Sequence, residues 1–164
     1  MQMETERLFL VPLTAEQLWL WVNDLPTLEK QLDCFYEAEP IEDGFLEIVK
    51  GQAEKTAADE KNYLYHTFWF LIRKSDRAVI GSADFKNIPD ENGEVEIGYG
   101  LGKVFEHNGY MTECVKAMCD WALAQTDVSH VVAETGIDSS ASQNILERCG
   151  FSLYKQAETC WWRL

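Results

Sequence analysis

Cations are scarce in this chain: 14 lysines and arginines stand against 28 aspartates and glutamates, a formal net charge of −14 over 164 residues. Nucleic-acid binding rests on cations that neutralise phosphates, so nucleic acid is not an expected partner, whereas a cationic substrate is. Long apolar runs are missing too. None approaches the roughly 18 residues that span a bilayer, and MQMETERLFL lacks a basic stretch ahead of an apolar one, so the expectation is a cytoplasmic protein without a membrane segment. The five cysteines (Cys34, Cys114, Cys119, Cys149, Cys160) include no CxxC pair, and the three histidines are scattered. That spacing favours buried free thiols over a disulfide or metal framework. No repeat or low-complexity linker interrupts the chain, and its length suits one domain over residues 1–164.

The periodicity of what is present gives an order of elements. RLFLVPL (7–13) has the alternation of a strand. Thr14 and Gln17 form a capping box ahead of a helix whose apolar stripe is Leu18, Trp21, Val22 and Leu25, with Trp19 off the stripe. Residues 26–66 are acidic and helix-prone, one or two helices carrying a lid. TFWFLIR (67–73), AVIGSADFKN (78–87) and GEVEIGYGL (93–101) read as antiparallel strands joined by short turns. A helix with a wide apolar face starts at Gly109, and HVVAETGI (130–137) reads as a strand buried on both faces. Asp138 or Ser139 caps a further helix that Gly150 stops, with Phe151 as the contact after it. One or two strands close the chain, and the last of them could pair with a second copy through its edge. The fold class is α/β, a mixed, mostly antiparallel sheet with helices on its faces.

GYGLGKVFE (98–106) superficially matches a kinase glycine loop or a dinucleotide fingerprint. The first needs catalytic and metal-binding loops for which there is no room. The second must enter a helix at its third glycine, but Lys103 to Asn108 intervene.

Five stretches in order, TERLFLVPLTAEQ, AVIGSADF, VEIGYGL, NGYMTECVKAM and SSASQNILERCGF, resemble the GNAT family of N-acetyltransferases. The resemblance is to the branch that acetylates ribosomal-protein N-termini and to its relatives on small amines, and it covers most of the chain except residues 26–66. It implies a cleft for acetyl-CoA between two splayed central strands and no metal. In such a cleft the cofactor's pyrophosphate meets a helix N-terminus, where unpaired amides bind anions and Gly109 lets the backbone approach. His107, Asn108, Gly109, Tyr110, Met111 and Thr112 are the implied phosphate contacts, with the Thr112 hydroxyl as an added donor. The family pattern places Arg or Gln at Glu106 and a small residue at Met111, so this loop has lost a cation.

By the same resemblance Glu96 is the base that takes the proton of the amine, directly or through a water; its other reading is a polar residue on a half-exposed strand. Backbone amides of Tyr99, Gly100 and Leu101 are the oxyanion and pantetheine candidates. For the leaving thiolate, the family's tyrosine position falls on Leu146, so Ser142 takes the role, with Ser139 in place of a neighbouring Asn and Tyr154 as a weaker substitute. The acidic run with Tyr36, Glu37, Glu39, Glu42 and Asp43 either attracts an amine or is a solvated face. The function implied is acetyl transfer from acetyl-CoA to a primary amine of a small molecule or peptide N-terminus. The alternatives are a catalytically weak or inactive cofactor-binding or regulatory module of the same fold, and an interaction protein using its tryptophans.

Overall fold

The computed structural model describes residues 1–164. The chain opens with β1 (Met3–Glu4), β2 (Leu8–Pro12), α1 (Ala15–Asn23), α2 (Leu25–Leu32), β3 (Phe35–Tyr36), α3 (Asp43–Ala58) and α4 (Tyr63–His66). It continues through β4 (Phe68–Arg73), β5 (Ala78–Phe85), β6 (Glu94–Leu101), α5 (Tyr110–Leu123) and β7 (His130–Gly136), then α6 (Ser140–Arg148), β8 (Ser152–Gln156) and β9 (Thr159–Arg163). The sheet order is β1-β2-β4-β5-β6-β7-β9-β8, with β3 pairing beside β5. Only β6–β7 and β3–β5 are parallel. The β6–β7 pair is the one joined through a long helix, because a parallel return needs a crossover.

Each face of the sheet has its own core. Trp69, Leu71, Ala83, Phe85, Val95 and Ile97 pack beneath the α5 residues Met111, Cys114, Val115, Met118 and Ala122. On the other face Phe68, Phe70 and Val79 meet Leu18 and Trp21 of α1, Leu28 of α2, and Val49 and Ala53 of α3. Covered on both sides, β4 is buried from Phe68 to Ile72, as its unbroken apolar sequence requires. The Trp21 ring lies 4.8 Å from Phe70 and 5.7 Å from Phe68, which fixes α1 on the sheet.

Local chemistry sets the helix ends. Gln17 N–H donates to Thr14 Oγ1 at 3.1 Å and Thr14 N–H to Gln17 Oε1 at 2.9 Å, the reciprocal cap the sequence announces. The α1 stripe stops short of Leu25, since Asp24 ends α1 and caps α2 through Thr27. After α6, Gly150 takes φ +92°, its N–H donates to Glu147 O, and Phe151 N–H donates to Leu146 O, a closed Schellman stop.

Three expectations are corrected or refined. Strand β7 is not buried on both faces: His130, Glu134 and Gly136 are exposed, because the helices of the α1–α3 side pack on β4 and β5 and leave that face of β7 uncovered. The C-terminal strand β9 is internal, between β7 and β8, so the free edge at that end is Ser152–Gln156. Residues 26–66 include a two-residue strand, and α3 sends Val49 and Ala53 into a core instead of hanging as a separate lid. All five cysteines are free, four of them buried and Cys149 half-buried. No helix is long and apolar enough to cross a membrane.

Candidate active site

Strands β6 and β7 pair only from Glu94–Glu96 to His130–Val132. Beyond Glu96, β6 stays with β5 while β7 follows β9, and a gap opens between them. Lys86 N–H donates to Glu96 O and Gly102 N–H to Ile80 O, so alternate residues of β6 bond toward β5. The intervening Tyr99 and Leu101 therefore turn their backbone groups into the gap. A cavity of about 760 Å³ fills it. Tyr99, Gly100 and Leu101 form its floor, His107 with Gly109 to Thr112 one wall, and Ser142 in the first turn of α6 the other.

Gly109 precedes α5 with φ +81° and no side-chain cap, so the amides of Tyr110, Met111 and Thr112 lack intrahelical partners. Thr112 Oγ1 is shielded from solvent and has no partner of its own. These groups suit an anion. Asn108 does not line the cavity: its side chain donates to the Phe105 and Glu106 carbonyls at 3.1 and 3.0 Å, folding into the loop. Glu106 does line it, with His107 and Arg148 as the cation-capable groups on the same walls.

A cation the sequence reading missed arrives from far upstream. Arg7 Nη1 donates to Asn108 O at 2.9 Å, its guanidinium stands 4.2 Å from the Tyr110 ring centre, and a Cβ on Gly109 would lie 3.4 Å from its Nη2. The only sequence signal was its place in TERLFL, a stretch otherwise read for its strand.

Across the gap, Tyr99 Oη lies 2.9 Å from Ser142 Oγ and donates at 3.3 Å to Ser142 O. Burial pushes the Tyr99 hydroxyl up to about 12 although the Ser142 bond pulls it down, so it is protonated at neutral pH. Leu146 is fully buried in the core, and Tyr154 sits on the β8 edge beneath Arg163. Ser139 precedes α6 without capping it, its hydroxyl turned toward Gly136, while Ser140 and Ala141 line the cavity.

Glu96 is half-buried opposite Lys86, outside the lining of the cavity just described. Burial raises its carboxyl, Glu134 adds to the rise and Lys86 opposes it. On its sheet face lies a second cavity of about 440 Å³, which shares Tyr99, Gly100 and Leu101 with the first. Of the acidic run only Glu39 lines it, together with Tyr36. Glu37, Glu42 and Asp43 are exposed. Asp84 also lines it and was not singled out in the sequence, although a carboxylate inside the wholly buried AVIGSADF is the signal that could have found it. No group of three or more His, Cys, Asp and Glu side chains is placed to hold a metal ion.

The family model described as Acetyltransferase (GNAT) domain matches residues 7–152. Among curated proteins, uncharacterized N-acetyltransferase YjdG of Bacillus subtilis (strain 168) is 36% identical over 95 residues, covering 57% of this chain and 56% of that protein. Uncharacterized N-acetyltransferase p20 of Bacillus licheniformis is 29% identical over 84 residues, 51% of this chain and 47% of that protein. The matched region thus spans about half the length of these relatives. Among solved structures, the ribosomal-protein-S5-alanine acetyltransferase from Vibrio fischeri superimposes with a TM-score of 0.73 at 17% identity, over 100% of this chain and 96% of that one. Microcin C7 self immunity acetyltransferase MccE, solved with acetyl-CoA and AMP, gives 0.62 at 20% identity, over 97% and 92%. At such identities the likeness is one of fold.

Proposed function

This chain belongs to the GNAT acetyltransferase family, and we propose that it is an acetyl-CoA-dependent N-acetyltransferase acting on a primary amine of a small molecule or a peptide N-terminus. The observation that carries the reading is the meeting of two cavities at Tyr99, Gly100 and Leu101, where β6 has left β7. A thioester in the larger one would present its carbonyl to an amine in the smaller. The names of the relatives, N-acetyltransferases among them, support it.

In this reading the amides of Tyr110 to Thr112 and the Thr112 hydroxyl hold the pyrophosphate, with Arg148 lending positive charge and His107 a ring N–H. The Tyr99 and Leu101 amides hold the pantetheine and stabilise the oxyanion as the C–N bond forms. Glu96 takes the ammonium proton through a water, its raised carboxyl better matched to that task than an ordinary one. As the C–S bond breaks, the Ser142 hydroxyl, oriented by the Tyr99 hydroxyl 2.9 Å away, donates a hydrogen bond to the leaving thiolate, which then takes its proton from solvent.

Thiol release from acetyl-CoA in the presence of an amine library tests the proposal: amine-dependent release is expected. One observation favours a second reading, a catalytically weak or inactive regulatory module of the same fold. Glu106 places a carboxylate on the cavity wall meant for phosphate. Weak acetyl-CoA binding by calorimetry with no thiol release for any amine would select that reading.

A further inference from the structure

The smaller cavity spends its polar groups unevenly. Glu39 Oε1 accepts Lys103 N–H at 2.9 Å, and Tyr36 Oη donates to Glu39 O at 2.7 Å, so both are engaged within the protein. Asp84 is not. It is 4% exposed, stands directly opposite Gly98 in the β5–β6 ladder, and receives no hydrogen bond from the chain. A Cβ on Gly98 would lie 2.9 Å from Asp84 Oδ1 and 3.0 Å from Lys86 Nζ, so it is the missing side chain at Gly98 that leaves room for the carboxylate. Lys86 Nζ, which flanks the same missing Cβ, opposes its charge without forming an ion pair, and Glu96 adds to the negative field. A buried carboxylate without a donor is costly and calls for a partner.

The rest of the lining indicates what that partner carries. Tyr36, Phe45, Ile48 and Phe68 give apolar walls, and a volume of about 440 Å³ sits toward the small end of the roughly 300–1,000 Å³ of small-molecule sites. An extended peptide would need backbone partners where rings stand. We propose that the acceptor is a small primary amine with an apolar body, its ammonium received by Asp84 and its body by the Tyr36, Phe45 and Phe68 rings. This rests on the N-acetyltransferase reading and names the substrate class of that site. Asp84 binds and orients the amine next to the Tyr99–Leu101 segment, and Glu96 remains the route by which the proton leaves.

The test compares the intact protein with Asp84→Asn, using phenethylamine, spermidine, an alanine-initiated tripeptide and the uncharged phenylethanol as probes. Phenethylamine is expected to give the highest kcat/KM of the three amines. It should also raise the wild-type melting temperature at slightly alkaline pH, whereas phenylethanol should not. In Asp84→Asn the KM for phenethylamine rises about tenfold or more, the size of one lost charged hydrogen bond, the thermal shift disappears, and the KM for acetyl-CoA is unchanged. Preference for the tripeptide or spermidine, or an unchanged amine KM in a folded Asp84→Asn protein, overturns the inference while leaving acetyl transfer intact. Absence of both acetyl-CoA binding and thiol release overturns the acetyltransferase reading itself, and this inference with it.

Discussion

Arg7 Nε donates to Glu113 Oε2 at 2.9 Å, joining the entrance of β2 to the first turn of α5 across more than a hundred residues of sequence. The Arg7 amide also donates to Glu113 Oε1, at 2.7 Å, and Nη1 holds the Asn108 carbonyl. One guanidinium therefore fixes both the loop that precedes α5 and the turn that exposes its amides.

Replacing that guanidinium should loosen the cavity wall at the start of α5 more than the fold. Arg7→Ala leaves the half-buried Glu113 without its cation, a loss of about 1–2 kcal/mol given that Arg7 is itself partly exposed. Melting should fall modestly and the acetyl-CoA Kd by calorimetry should rise several-fold, with Arg7→Lys between, since it keeps charge but not the fork. An Arg7→Ala protein with wild-type acetyl-CoA affinity would show that the loop holds its shape alone.

The Tyr99–Ser142 pair predicts coupled losses. Tyr99→Phe and Ser142→Ala should each lower kcat by about ten- to a hundredfold with little change in either KM, and the double variant should be no worse than the poorer single one. Additive losses in steady-state kinetics would separate the two hydroxyls into independent roles.

At Glu106 the sign is reversed. Removing its charge in Glu106→Gln should tighten acetyl-CoA binding about two- to fivefold, the scale of one exposed charge near a helix end, and the gain should shrink at high salt. Calorimetry at two ionic strengths checks this, and weaker binding would mean that the carboxylate points away from the phosphates.

Asp84 predicts how stability responds to pH. Burial, reinforced by Glu96 and opposed by Lys86, raises its carboxyl from 3.8 to about 6, so the folded state binds this proton more tightly than the unfolded chain. Its contribution is therefore present at acid pH, lost as pH rises from about 4 to 6, and flat above, a cost of about 3 kcal/mol at neutrality. Asp84→Asn should be more stable than wild type by up to that amount near pH 8 in chemical denaturation, with the difference narrowing near pH 4. A difference independent of pH would contradict the burial argument.

What could be read from the sequence was whatever one segment encodes by itself. The strand runs and intervening turns from Phe68 to Leu101, the wide apolar face from Met111 to Ala122 and the Gly150–Phe151 stop needed no partner to be recognised. What depends on distant juxtaposition was hidden. Nothing near Arg7 points to Asn108, and Tyr99 was read for its amide because only the fold sets its hydroxyl beside Ser142. Asp84 is by sequence one polar position in a strand, and only the β5–β6 pairing sets Gly98 opposite it. The two-residue β3 is too short to carry a period, and the hairpin order that makes β8 the edge is a property of pairing. Around the N-terminus of α5, the segment from Gly109 to Thr112 falls on the cavity wall, while Asn108 and Ser139, placed by resemblance, stand aside from it.

The most direct test of the account is amine-dependent release of coenzyme A thiol by the wild-type chain and by Glu96→Gln, with acetyl-CoA affinity measured on both. The account predicts turnover in the wild type that falls about a hundredfold or more in the variant while acetyl-CoA binds equally to the two, as loss of a general base requires. Full-rate turnover in Glu96→Gln would remove Glu96 from the mechanism, and no acetyl-CoA binding by the wild type at high micromolar concentration would contradict the account as a whole.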